Sequence, residues 1–292
     1  MEYIEERSLE GVKKSKSHKK VKGFIRWIAL VVVSFIMVYP LIWMFSNSFK
    51  TAASILRNPI SLLPDVMNLS NFSMALEMAP FDLYVFNSIF TASIIVIVQL
   101  FLSCLLAYGM SFYDFPGKKI LFGGIIMTYM LPPAATYVPS YVILAKLHLL
   151  DSLAGIIVSN LANVFTIFLL IQTFRSVPKE LVEAARIEGS TDRQILLKVV
   201  IPFTKSTLFT VTLINFVAMY NNYMWPSLIT TSKSKMLISV GLNTFFTSQG
   251  NFTQNLPGLM AANSIAVIPL LVLFIVLQKW FIKGISDSGI KG

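Results

Sequence analysis

Six stretches of this chain contain no Asp, Glu, Lys or Arg, and that spacing restricts its folding more than any other feature. They cover residues 27–49, 83–113, 120–145, 152–174, 206–232 and 236–278. A bilayer's hydrocarbon layer is about 30 Å thick, so a helix rising about 1.5 Å per residue needs about 20 apolar residues to cross it. Every stretch is long enough. The chain therefore reads as an all-α, polytopic membrane protein with about six transmembrane helices, near 25–47, 84–110, 119–140, 153–174, 206–227 and 260–282. The charged fraction agrees: 13% of the 292 residues, where a soluble domain carries about 25%.

The basic residues then set an expected orientation. Residues 1–22 are polar and rich in lysine (Lys13, Lys14, Lys16, Lys19, Lys20, Lys22), and read as a cytosolic tail, disordered or lying on anionic lipid. A cleaved signal peptide is the rival reading. The first apolar run is too long for it, the basic leader too extended, and five more spans follow. With the N-terminus inside, only Lys50, Arg57, Lys146, Lys233 and Lys235 of the 24 basic residues face outward. That asymmetry satisfies the positive-inside rule and makes both termini cytosolic. The transmembrane region spans 23–292, with external loops at 48–83 and 228–259, a polar cytosolic loop at 175–205 and a cytosolic C-terminal tail at 283–292. The net charge of +10 flanks spans rather than forming one basic face, so nucleic acid is not an expected partner.

Catalytic chemistry has little to stand on. Cys104 is the only cysteine, and His18 and His148 the only histidines, so neither a disulfide within the chain nor a Cys/His metal cluster is available. The one Gly-Lys pair, Gly117-Lys118, lacks the leading glycine and following Ser/Thr of a nucleotide-binding P-loop. No acidic residue or histidine falls within the spans, although ion-coupled carriers place ionisable groups there. The expectation is no catalytic residue, no metal and no cofactor bound by this chain.

The 175–205 loop is too well specified for a linker. Pro178 suits a helix start, and Lys179 to Glu188 are mostly good helix formers. Gly189 supplies the left-handed stop common past a helix C-terminus. Thr191 with Gln194 three residues on is a capping-box signature for a second helix, and Pro202 marks entry into the fifth span. At about 100° per residue, Leu181, Ala184, Ala185 and Glu188 share one face, while Glu183 lies beside Ile187. Small alanines allow a partner to approach, and a carboxylate can make a charge-assisted hydrogen bond to its Arg or Lys.

Glu183-Ala184-Ala185, Gly189 and Ile201-Pro202 resemble the EAA loop of ABC importer permeases. Flanking residues are similar to the carbohydrate branch of that family, and the resemblance extends through Pro40–Lys50, Asn87-Ser88, Ala107-Tyr108-Gly109, Phe115–Lys118, Met130-Leu131-Pro132 and the chain's end. Two positions depart from the family pattern. Tyr220-Asn221-Asn222 stands where Trp-Asn-Asp/Glu is usual, and Glu188 replaces a more frequent Asp. The resemblance implies the type I importer permease fold and a bacterial plasma-membrane location. It implies as partners a second homologous permease subunit, a cytosolic ATPase dimer carrying the ATP and Mg, an extracytoplasmic solute-binding protein and the lipid bilayer. By the same resemblance Glu183 pairs with a basic residue of the ATPase, Ala184 and Ala185 pack into its cleft, Gly189 makes the bend, and Gly289, Lys291 and Gly292 reach the ATPase interface.

Sugars are held by amides, hydroxyls and aromatic faces, which makes Asn87, Ser88, Tyr220, Asn221, Asn222 and Asn263 candidate substrate-pathway groups, with Asn160, Asn163 and Asn215 beside them. Each serves equally well as an interhelical hydrogen-bonding residue. The expected function is import of a sugar or oligosaccharide. The alternatives are the same machinery for another solute, such as a phosphorylated polyol or a peptide, or a stand-alone secondary transporter.

Overall fold

The computed structural model describes the backbone of residues 2–64, 66–248 and 252–289, and side-chain surroundings for 23–64, 66–247 and 255–278. Helices and turns make up the described residues, which contain no strand. Contacts divide the chain into two units: Met1–Phe72 with Thr253–Ser264, and Ser73–Phe252 with Ile265–Gly292.

The first unit begins with α1 (Glu2–Asn47). Residues 2–22, expected as a disordered or lipid-lying tail, continue this helix toward the N-terminus. After α1 comes α2 (Ala52–Arg57), N-capped by the Thr51 hydroxyl, which accepts from the Ser54 amide at 3.3 Å. The Asn71 side chain donates to the carbonyls of Ser48 (2.9 Å) and Lys50 (2.8 Å), and so ties down the turn leaving α1. Among the described residues, the 48–83 loop holds two short helices, α2 and α3 (Ser70–Met78).

In the second unit α4 (Phe81–Phe112) is the central helix, packed by α8 and α11. Next come α5 (Lys118–Tyr129) and α6 (Pro133–Lys146), which meet at 98° across Met130–Pro132. Pro132 and Pro133 cause the corner: each lacks an N–H, and each pushes its predecessor out of the helical region. α7 (Leu153–Val158) and α8 (Val164–Arg175) follow, then α9 (Lys179–Ile187), α10 (Asp192–Ile195), a π-helical turn at Leu196–Val200 and α11 (Ile201–Tyr220). The segment after α11 contains α12 (Met224–Ile229), a 3₁₀ turn at Lys233–Lys235 and α13 (Ile238–Ser248), before α14 (Phe252–Gly289).

Among the described residues, four helices are long and apolar enough to cross a membrane, and the bent α5–α6 pair makes a fifth when taken as one span. The fourth expected crossing, 153–174, is not one helix. Its chain breaks at Ser159–Asn163, where the Asn163 carboxamide oxygen caps α8 by accepting from the Thr166 amide at 3.0 Å. Asparagine favours such caps over helix interiors because its side chain competes for backbone groups. Pro202 lies in the first turn of α11, as its place at the entry to the fifth span predicts, and directly follows the π turn, where the Ile201 amide donates back to Leu196. A widened turn of this kind suits proline, which lacks an N–H and whose ring crowds the carbonyl four positions back.

Candidate functional site

Two places in the second unit combine exposed chemistry with fixed geometry: the loop between α8 and α11, and a cavity where three helices break.

In the loop, α9 ends in a Schellman motif. The Ser190 amide donates to Ala185 (2.9 Å) and the Gly189 amide to Arg186 (3.0 Å), with Gly189 at φ +80°. Only glycine adopts that angle without a side-chain penalty. The Thr191–Gln194 capping box is complete in both directions, as the spacing predicts. Val182 is buried and Ala185 half-buried against Leu170, Phe174, Ile195 and Val200, which fixes one side of α9 to the bundle. Glu183, Ala184, Ile187 and Glu188 remain exposed, Ile187 at 88%. The two alanines therefore divide: Ala184 is presented outward, and Ala185 is partly spent on packing within the chain. Pro178 sits one residue before the helix as its cap rather than as its first residue.

A bracing cluster that sequence reasoning missed holds this loop to the end of α4. The Asp192 carboxylate accepts from the Tyr108 hydroxyl (2.9 Å), the Tyr113 hydroxyl and the Arg186 guanidinium (3.3 Å). Arg186 also lies over the Tyr113 ring, 5.2 Å from its centroid. The hydrogen bond to Asp192 holds the Tyr113 proton and raises its pKa above the usual phenol value. Aspartate in the first turn of α10 is a visible helix signal, but its tyrosine partners lie 84 and 79 residues away. Nothing local announces them.

The cavity has a volume of about 810 Å³. Its wall is made from the α5–α6 corner, the α7–α8 break and the α11–α12 break, represented by Tyr129, Thr136, Tyr137, Asn160, Asn163 and Asn222. In hydrocarbon, non-helical backbone survives only where it is buried in protein or lines a wet cavity, so three breaks converging on one polar space is what a pathway requires. Further hydrogen bonds set the wall. Gln99 donates to the Asn160 carbonyl (2.6 Å), and the Trp225 indole N–H donates to the Ser159 hydroxyl (2.7 Å). The Tyr137 ring stacks on Trp225 with centroids 5.4 Å apart.

The expected pathway residues separate accordingly. Asn222 lines the cavity, as do Asn160 and Asn163. Asn87 is buried and donates to the carbonyls of Ser234 (3.1 Å) and Met236 (3.0 Å), and the Ser88 hydroxyl accepts from the Ile238 amide (2.8 Å). Both hold α13 and its approach against α4. Tyr220 donates to the Ala266 carbonyl (2.8 Å), and Asn215 donates to the Thr166 hydroxyl (2.7 Å). Asn221 bonds back to Val217 (3.0 Å) beside the cavity wall, and in the first unit Asn263 bonds to Leu259 (2.8 Å). Lys291 and Gly292 lie outside the described residues, as do the side-chain surroundings of Gly289. Wall residues missed from sequence include Tyr129, Thr136, Tyr137 and Ser140. The double proline at 132–133 and the capping Asn163 were the signals for them.

Beyond the C-terminal ends of α6 and α12, Asp151 forms a latch. Its amide donates to the Ile229 carbonyl (2.7 Å), and its carboxylate accepts from the Thr231 (2.9 Å) and Ser232 (2.8 Å) amides and from the Ser232 hydroxyl. The Ser232 hydroxyl above all, then the two amides, lower its pKa to about 2.

Long apolar helices, broken spans around a polar cavity and a capped loop at one end define a membrane transport permease. The chain belongs to the family of binding-protein-dependent transport system inner membrane components, which matches residues 99–287. It is 28% identical to the arabinooligosaccharides transport system permease AraQ of Halalkalibacterium halodurans, across 94% of this chain and 99% of that one. It is 30% identical to the sn-glycerol-3-phosphate transport system permease UgpE of Yersinia enterocolitica, across 89% and 95%. Among solved structures, it superposes on a bacterial ABC transporter involved in import of the acidic polysaccharide alginate with a TM-score of 0.80, at 26% identity, covering 90% of this chain and 97% of that chain.

Proposed function

We propose that this chain is one of two homologous permease subunits in an ATP-binding-cassette importer that carries a sugar or oligosaccharide across a bacterial plasma membrane. Three helix breaks lining one polar cavity are the observation that carries this reading. A binding protein delivers solute from outside, and both termini and the 175–205 loop face the cytosol. There α9 docks on an ATPase dimer. Glu183 forms a charge-assisted pair with a basic residue of the ATPase, Ala184 and Ile187 fill its cleft, and Gly189 sets the bend. The tail residues Gly289, Lys291 and Gly292 approach the ATPase interface.

Mechanical logic supports the assignment. A helix closed by a Schellman motif, followed by a capping box and braced through Asp192 to α4, is too stiff to absorb a displacement. Motion imposed on α9 by nucleotide-driven closure of the ATPase passes into α4 and α11, which changes access to the cavity.

The test is uptake by proteoliposomes containing both permeases and the ATPase, with binding protein outside. Labelled oligosaccharide should accumulate only with ATP inside the vesicle compartment that holds the ATPase. In vesicles holding the two permeases without the ATPase, a cysteine placed at Ile187 in a Cys104→Ser background should react with impermeant maleimide only from the side opposite the binding protein. Labelling from the binding protein's side would defeat the coupling role.

A further inference from the structure

The relatives differ in the charge of the solutes their names specify: a neutral oligosaccharide, a phosphate ester and an acidic polysaccharide. The chemistry of the cavity wall distinguishes among these classes. Among the described residues lining it, none carries a charge. A carboxylate or phosphate brought to membrane depth needs a cation or several charge-assisted bonds to offset its desolvation, and this wall has neither to give.

It does offer neutral donors and acceptors. The Asn163 oxygen is used in capping α8, which leaves its amide N–H groups available. The Asn222 side chain, the Ser140 hydroxyl and the Tyr129 and Tyr137 hydroxyls have no hydrogen-bond partner among the described residues. Trp225, by contrast, is 5% exposed and already pairs with Ser159, so it supports Tyr137 instead of meeting solute. Amide groups donate and accept together, which suits the mixed donors and acceptors of sugar hydroxyls. An ionised carboxylate or phosphate group only accepts, and has no O–H to return to the Asn222 amide oxygen.

We propose that this wall selects neutral polyhydroxyl solutes, with Asn163 and Asn222 as its specificity-determining contacts, and disfavours phosphorylated or uronate-bearing ones. The proposal rests on the importer reading and specifies its substrate class.

The test uses the complete reconstituted transporter, with arabino-oligosaccharides, hexuronate oligosaccharides and sn-glycerol 3-phosphate as probes. Neutral probes should be imported at least about tenfold faster than either anion. Asn163→Ser keeps a capping oxygen for α8 while removing the free amide, and Asn222→Ala removes the other. Each should raise the KM for the neutral probe about fivefold, the worth of one neutral hydrogen bond. Co-purification with the partner subunits and the melting temperature of the complex, read on the same preparations, separate solute contact from misfolding. Import of an anion as fast as the neutral probes, or an unchanged KM in both variants, would overturn the selectivity and leave the importer reading standing. Absence of ATP-driven uptake of every probe would remove the importer reading and the proposal together.

Discussion

The α8–α11 loop and the cavity wall lie in the same unit and solve opposite problems. The loop must be stiff, and it achieves that with local devices: the Schellman closure at Gly189, the Thr191–Gln194 box and a two-residue foothold at Val182 and Ala185. The cavity must keep polar groups open at a depth where open polar groups are costly. It achieves that by interrupting helices at three distant points and facing the interruptions toward one space. Stiffness here is written in adjacent residues, whereas openness is written in residues nearly a hundred positions apart.

The largest effect should come from the loop's exposed face. Glu183→Lys reverses the charge offered to the ATPase and should lower uptake at least about a hundredfold while leaving the chain in the membrane. Normal uptake by that variant would take away the functional half of the comparison. Asp192→Ala removes the acceptor shared by Tyr108, Tyr113 and Arg186. With Asp192 and two of its three bonds exposed to solvent, the cluster should contribute about 1 kcal/mol, so thermal stability should fall by that order and ATP hydrolysis should partly uncouple from uptake. If hydrolysis and uptake stay locked together, the brace is dispensable.

Gly189→Ala probes local stiffness alone. A side chain at φ +80° costs about 1 kcal/mol, readable as a lower melting temperature with solute KM unchanged. A shift in KM would mean that loop and cavity are less separable than their construction implies.

The smallest effect belongs to the Asp151 latch. Because the Asp151 pKa is lowered from 3.8 to about 2, its contribution is complete above the unfolded value and fades as pH falls through the folded one. Asp151→Asn should flatten the loss of thermal stability between those two pH values and change little at neutral pH. An identical acid profile in wild type and variant would show that the latch contributes nothing measurable.

The legibility of each region follows its construction. Gly189, Thr191, Gln194 and the start of α9 were readable because each cap is satisfied within a few residues. The polar asparagines in apolar stretches were visible too, but their roles were not. Asn87 and Asn215 became packing bonds to Met236 and Thr166, while Asn163 and Asn222 reached the cavity. Spacing along one helix cannot tell these fates apart, because the deciding partner is on another helix. The break within 153–174 was masked in the same way: an apolar stretch of spanning length concealed an asparagine that caps a new helix.

Sequence alone determined that this chain is helical and membrane-embedded, where its charges fall and how its most polar loop is capped, since hydropathy and capping act over one turn or one span. Tertiary structure alone decided which breaks share a cavity, which asparagines stay open there and which tyrosines seize Asp192. Those outcomes depend on pairing energies between groups that only folding brings within about 3 Å of each other.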